Sequence, residues 1–137
     1  MQTTHPLAKR QVTLADLSHY PLALPGQNTT VRQLFDLSCQ MNGSVVEPVL
    51  TCDYFSTLYN FVLHTPQAVT ICSAFTLLFR QETPQLVLRS MGVDQLSQRT
   101  LQLQTVSGRQ RSAALNLFLT FLQQRLTEMD AQLRQAG

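Results

Sequence analysis

The sequence has no tryptophan, a single lysine, Lys9, and only 13% charged residues. Nine of its ten basic residues are arginines, scattered along the chain rather than gathered into a stripe, and the formal net charge is only +2. Phosphate backbones are held by clustered cations, so this composition gives the chain itself no nucleic-acid footprint. The three cysteines, Cys39, Cys52 and Cys72, are odd in number and widely spaced. They form no Cys-x-x-Cys pair and have no histidine at ligand spacing, which argues against a disulfide framework or zinc site and for free thiols in a reducing compartment. No apolar run reaches the roughly 18 residues that a membrane span requires, and Met1–Pro6 lacks the charged start and apolar core of a signal peptide. The expectation is a cytoplasmic protein with no membrane partner. Glycine is also scarce, and the phosphate-cradling loop, the Gly-x-Ser-x-Gly elbow and the His-Glu-x-x-His pair are all missing. His5 and His19 lie in the N-terminal stretch and His64 at a helix end, positions that suit structural or solvent roles. The carboxylates are dispersed; Asp53, near a strand end, could serve as an acid or base, although helix capping accounts for it more simply. Catalysis, metal and cofactor are therefore not expected.

What is present is a regular alternation of apolar elements within 137 residues, enough for one compact domain. Residues 1–20 are polar and mixed, with Val12, Leu14, Leu17 and Tyr20 as isolated apolar points and a short helical turn at Thr13–Leu17; they read as a connector. Pro21–Pro25 reads as a buried strand closed by Pro25-Gly26. A helix is expected over about 29–42, capped by Asn28, Thr29 or Thr30, carrying Val31, Leu34, Phe35, Ser38 and Cys39 at helical spacing, and stopped by Asn42-Gly43. Val45–Leu50 reads as a strand that Pro48 confines to an edge or bulge. Asp53 is expected to cap a second helix with the face Phe55, Leu58, Tyr59, Val62 and Leu63, ended by Thr65-Pro66. Ala68–Cys72 then reads as a strand, Ser73–Arg80 as a short helix, and Gln85–Arg89 and Arg99–Val106 as two further strands. The last helix is the longest. Such alternation implies parallel pairing and a three-layer α/β/α domain.

Three stretches also carry a resemblance. His5-Pro6-Leu7-Ala8, then Val12–Leu17, then Tyr20–Pro25 is similar to the stretch that enters the second subdomain of LysR-type transcriptional regulator sensors. Val49–Tyr54 followed by Leu58 and Val62 resembles that family's next strand and helix. Arg99–Leu103, Ser112-Ala113-Ala114 and Phe118–Leu122 resemble its closing strand and helix, so the likeness extends to about Thr127. At His64–Ser73 the chain departs from the family pattern, which has glycines there. The resemblance implies one subdomain of a periplasmic-binding-protein-like (type II) effector domain: a connector near the interdomain crossover (1–20), the second subdomain (21–106) and a C-terminal helix (107–137) that would pack on a first subdomain. It also implies a non-enzymatic module that senses a small molecule, such as a carboxylate, and controls DNA binding through an N-terminal winged helix-turn-helix domain outside this chain, which would be part of a longer regulator.

Ligands of open α/β sheets sit beyond the carboxyl ends of the strands, near helix N-termini that favour anions. Three loops answer that description: Gln27, Asn28, Thr29 and Thr30; Cys52 and Asp53; and Cys72 and Ser73. Capping competes with ligand contact at each, and an acidic Asp53 would repel an anionic effector unless it faced away. In the last helix Leu115, Phe118, Leu119, Leu122, Leu126 and Met129, with Leu133 beyond them, form a stripe that needs cover. Folding back on its own sheet or pairing with a second copy would provide it, so a homo-oligomer is expected. Two alternatives stand beside the sensor reading: a self-association fragment that has lost ligand binding with its other half, and a small α/β hydrolase using Asp53 or Ser73.

Overall fold

The structure, a computed structural model, describes residues 1–78, 84–92 and 102–136. It divides into two compact units, Met1–Arg99 and Thr100–Gly137. In the first, a 3-10 turn at Pro6–Lys9 precedes α1 (Leu14–Leu17), β1 (Leu22–Pro25), α2 (Thr30–Met41), β2 (Leu50–Cys52), α3 (Phe55–His64), β3 (Val69–Thr70) and α4 (Ala74–Leu78). The second contains α5 (Ala113–Ala136).

β1 is the centre of a parallel sheet of order β2-β1-β3. Leu22, Ala23 and Leu24 are fully buried, as a strand covered on both faces must be. Side chains alternate along it: Leu22 and Leu24 share a core with Val69 and Ile71 and with Phe35 and Cys39 of α2. Ala23 points the other way, and α3 lies on the sheet with Leu58 and Val62 buried. The right-handed crossover rule gives the same result, because the connection from β1 to β2 and the one back to β3 run in opposite directions across the sheet. The outcome is the expected α/β/α layering.

The ends of α2 follow from its sequence. Thr29 Oγ1 accepts the Arg32 N–H at 3.3 Å as N-cap. At the other end Gly43 takes φ +63°, while the Ser44 N–H reaches the Cys39 carbonyl and the Gly43 N–H the Gln40 carbonyl. That paired closure needs a left-handed residue, which glycine supplies without a steric cost. α1 is short but fully capped: Thr13 and Asp16 exchange hydrogen bonds in a capping box, and Arg10 adds an ion pair at 2.6 Å. The bonds from Thr13, with Arg10 beside them, pull the Asp16 carboxyl down to about 2.

Several expectations change. Residues 1–20 are not merely spaced with isolated apolar points, since Leu7, Val12, Leu14 and Leu17 are buried in the same core as β1. The strand expected at Val45–Leu50 lies downstream, at Leu50–Cys52, and Val45 is 83% exposed. Pro48 has no N–H to give, so the ladder opens only with the Val49 N–H on the Leu22 carbonyl at 2.8 Å. Asp53 does not cap α3; Tyr54 holds the N-cap position with no side-chain cap bond. β3 is confined to Val69–Thr70, shorter than the expected Ala68–Cys72. Within Gln85–Arg89, Leu86 makes an isolated antiparallel bridge to Gln2 rather than a strand. Of Arg99–Val106, residues 99–101 lie outside the described residues, and 102–106 form no strand and are exposed. Period-2 alternation yields a strand only where another strand supplies hydrogen bonds and a core covers one face. Phe79 and Arg80, at the end of the helix expected over Ser73–Arg80, also lie outside the described residues.

Candidate functional site

The register sets Pro25 of β1 directly beside Cys52 of β2, and β3 runs along the other side of β1. The carboxyl ends of all three strands therefore open on one edge of the sheet. β1 lies between its two neighbours; the chain leaves it toward β2 and returns past it to β3, so the switch point falls between β1 and β3. Such a switch point leaves a crevice between the diverging helices.

The loop after β1 is held from below. Arg32, with its side chain 10% exposed, donates from Nη1 to the Pro25 carbonyl at 3.0 Å and from Nε to both Asp36 oxygens at 2.9 and 3.0 Å. The Gly26 carbonyl accepts from both the backbone N–H and Oγ1 of Thr29. Thr29 is thereby a capping residue, occupied within the loop. Gln27, Asn28 and Thr30 are exposed, and among the described residues no hydrogen bond engages their side chains.

The loop after β2 leans onto this one. A Cβ built on Gly26 would lie 1.7 Å from Asp53 Oδ1 and 2.9 Å from its Cγ, so the Asp53 side chain occupies the space that glycine leaves. Asp53 is otherwise exposed and forms no ion pair with any described residue. Cys52 is a half-buried free thiol. In the third loop Cys72 is half-buried and free, and burial pushes its thiol up to about 11. A thiol held protonated in this way is neither a nucleophile nor a charged ligand contact at neutral pH. Ser73 is half-buried, and no hydrogen bond ties its hydroxyl to a base or to any other described residue. The structure thus places Gln27, Asn28, Thr30, Asp53 and Ser73 at one edge of the sheet with their polar ends unengaged among the described residues, and withdraws Thr29 into capping.

Sequence reasoning missed Arg32 and Gly26 as the residues that fix the loop. The Arg32–Asp36 spacing of four was a legible signal for a helical ion pair, but its reach to Pro25 required the fold. Among the described residues, no group of histidine, cysteine and carboxylate side chains could hold a metal ion, and no helix is long and apolar enough to cross a membrane.

In the second unit, Leu115 and Phe118 of the expected association stripe are exposed, Leu119, Leu122 and Leu126 are half-buried, and Met129 is buried.

No curated protein matches the chain. The family described as LysR substrate binding domain matches residues 1–127. Its members serve in transcriptional regulators rather than as enzymes, bind small-molecule effectors and have the periplasmic-binding-protein-like type II fold. With that match over most of its length and a parallel sheet flanked by helices to go with it, the chain belongs to the LysR substrate-binding domain family.

Proposed function

We propose that the carboxyl edge of the β2-β1-β3 sheet is one wall of an effector cleft. In a longer LysR-type regulator, a first subdomain would supply the other wall and a linked winged helix-turn-helix domain would bind DNA. The observation that carries this reading is the group of unengaged polar side chains, Gln27, Asn28 and Ser73, gathered where the strands end. Donors of this kind suit a carboxylate or another polar anion, placed toward Asn28 and Ser73 and away from the Asp53 carboxylate. Ligand-driven movement of the two walls would then bias the linked DNA-binding domain, since a ligand shifts an equilibrium only by contacts that differ between its states.

The test is a thermal-shift and calorimetric screen of small carboxylates, amino acids and aromatic acids against the chain and its Ser73→Ala and Asn28→Ala variants. Binding at one hundred times Kd stabilises by about 2.7 kcal/mol, well within reach of a melting experiment. A saturable shift that weakens in both variants supports the cleft wall. A shift indifferent to both substitutions removes it.

A second reading, self-association through α5, is favoured by the exposure of Leu115, Leu117, Phe118 and Phe121 on that helix. It does not exclude effector binding, because members of the family typically oligomerise.

A further inference from the structure

His5 is only 4% exposed, and both of its ring nitrogens are engaged. Nδ1 accepts the Leu7 backbone N–H at 3.0 Å, capping the Pro6–Lys9 turn. Because that nitrogen must carry a lone pair, the proton sits on Nε2, which donates to the Gln67 carbonyl at 3.0 Å. The ring also rests on Tyr20, with centroids 4.4 Å apart. One neutral tautomer satisfies every partner. Gln67 in turn holds φ +59°, a left-handed conformation that side chains other than glycine rarely adopt, in the turn leading into β3.

We infer that His5 is a pH-sensitive latch: as the neutral Nε2–H tautomer it fastens the N-terminal turn to the strained Gln67 turn, and protonation at Nδ1 releases it. A protonated Nδ1 would point a hydrogen at the Leu7 N–H, setting donor against donor in a site with little water. The titratable groups facing the ring are Tyr20 and the Met1 ammonium; Gln67, which it meets before β3, is uncharged. Burial holds the imidazole below its ordinary value, the Gln67 bond opposes that shift, and the Met1 ammonium adds to it. Above about pH 6.5 the ring is neutral both folded and released, and the latch is fully closed. Below that value the released state takes up the proton first, so closure weakens as pH falls toward the folded-state pKa. The fastened residues are those proposed to enter the subdomain, so a consequence for effector sensing rests on that reading; the latch itself does not.

The imidazole nitrogens of the 15N-labelled chain would be followed by NMR from pH 8 to 5, together with the exchange protection of the Leu7 amide. The expected result is an Nε2–H tautomer for His5, titration below the ordinary histidine value, and Leu7 protection that falls about tenfold per pH unit between about 6.5 and the folded-state pKa. Gln67→Gly should raise the melting temperature and keep the tautomer, since the turn and carbonyl remain while the backbone strain goes. An Nδ1–H tautomer, titration at or above the ordinary value, or protection independent of His5 protonation overturns the latch. These readings need only the wild-type chain, so they stand even where a His5→Gln variant fails to fold.

Discussion

The strand Leu22–Leu24 and the helical stretch Leu117–Phe121 are both apolar, yet they meet opposite surroundings. Leu22 and Leu24 are fully buried between α2, the N-terminal segment and the neighbouring strand β3, whereas Leu117 is 73%, Phe118 56% and Phe121 64% exposed. Three things distinguish them. β1 has a strand on either side to satisfy its backbone, an α2 face at matching spacing above it, and the buried side chains of Leu7, Val12, Leu14 and Leu17 closing the same core. α5 satisfies its own backbone as any helix does, so its hydrogen bonding places no demand that every apolar side chain on it be covered. Backbone pairing thus obliges β1 to be buried, and nothing comparable obliges Phe118 or Phe121.

The largest effect that sharpens this contrast is expected at Phe35, which is 1% exposed at the centre of the core that β1 and α2 share. Phe35→Ala should cost about 3–5 kcal/mol, combining lost burial with an unfilled cavity. Urea unfolding monitored by circular dichroism would check it. A loss under about 1 kcal/mol would mean that the core relaxes around the gap and that the first unit is less tightly packed than β1 suggests.

A middle effect is expected at Arg32, which ties the core to the candidate site. Arg32→Met keeps much of the buried stem but removes the donors to Pro25 and Asp36, and should cost about 1.5–3 kcal/mol, the range for hydrogen bonds to charged groups. Asp36 is about half exposed and finds water, which places the effect toward the lower part of that range. Binding in the effector screen should weaken further than the loss of stability explains, because the Pro25–Asn28 loop loses its anchor. Unchanged affinity would detach that loop from the site.

How much of this was legible depends on whether the signal was local. The α2 boundaries were readable because Thr29, Asn42 and Gly43 act within one turn of the helix ends. The resemblance to LysR-type sensors, carried by His5–Ala8, Val12–Leu17 and Tyr20–Pro25, led to the family that matches residues 1–127. Three loops at the strand ends were readable from strand order alone. What stayed hidden depended on distant partners. Asp53 stands two residues before α3, where an acidic residue reads as a cap, and only the packing of β2 beside β1 lays it against Gly26 instead. His5 read as either structural or solvated, and which of the two stayed hidden because its partner Gln67 is 62 positions away. The Arg99–Val106 alternation suggested a strand, and its described part, residues 102–106, forms none, because alternation records a preference for two different faces and cannot supply the neighbouring strand.

The smallest expected change in stability tests the other side of the comparison. Phe118 and Phe121 are exposed on α5, so replacing both with glutamine removes little burial within one chain. The change in unfolding free energy should stay within roughly 0.5 kcal/mol, as for surface sites in general. The self-association proposed for this helix predicts a different readout: sedimentation or light scattering should show the double variant dissociating at concentrations where the wild type is assembled. Leu119, Leu122 and Leu126, half-buried on the neighbouring stripe, serve as the control, because truncating them should lower stability as well. If Phe118→Gln with Phe121→Gln instead destabilises the isolated chain at low concentration, these rings are covered in the monomer. The contrast between β1 and α5 would then be one of degree.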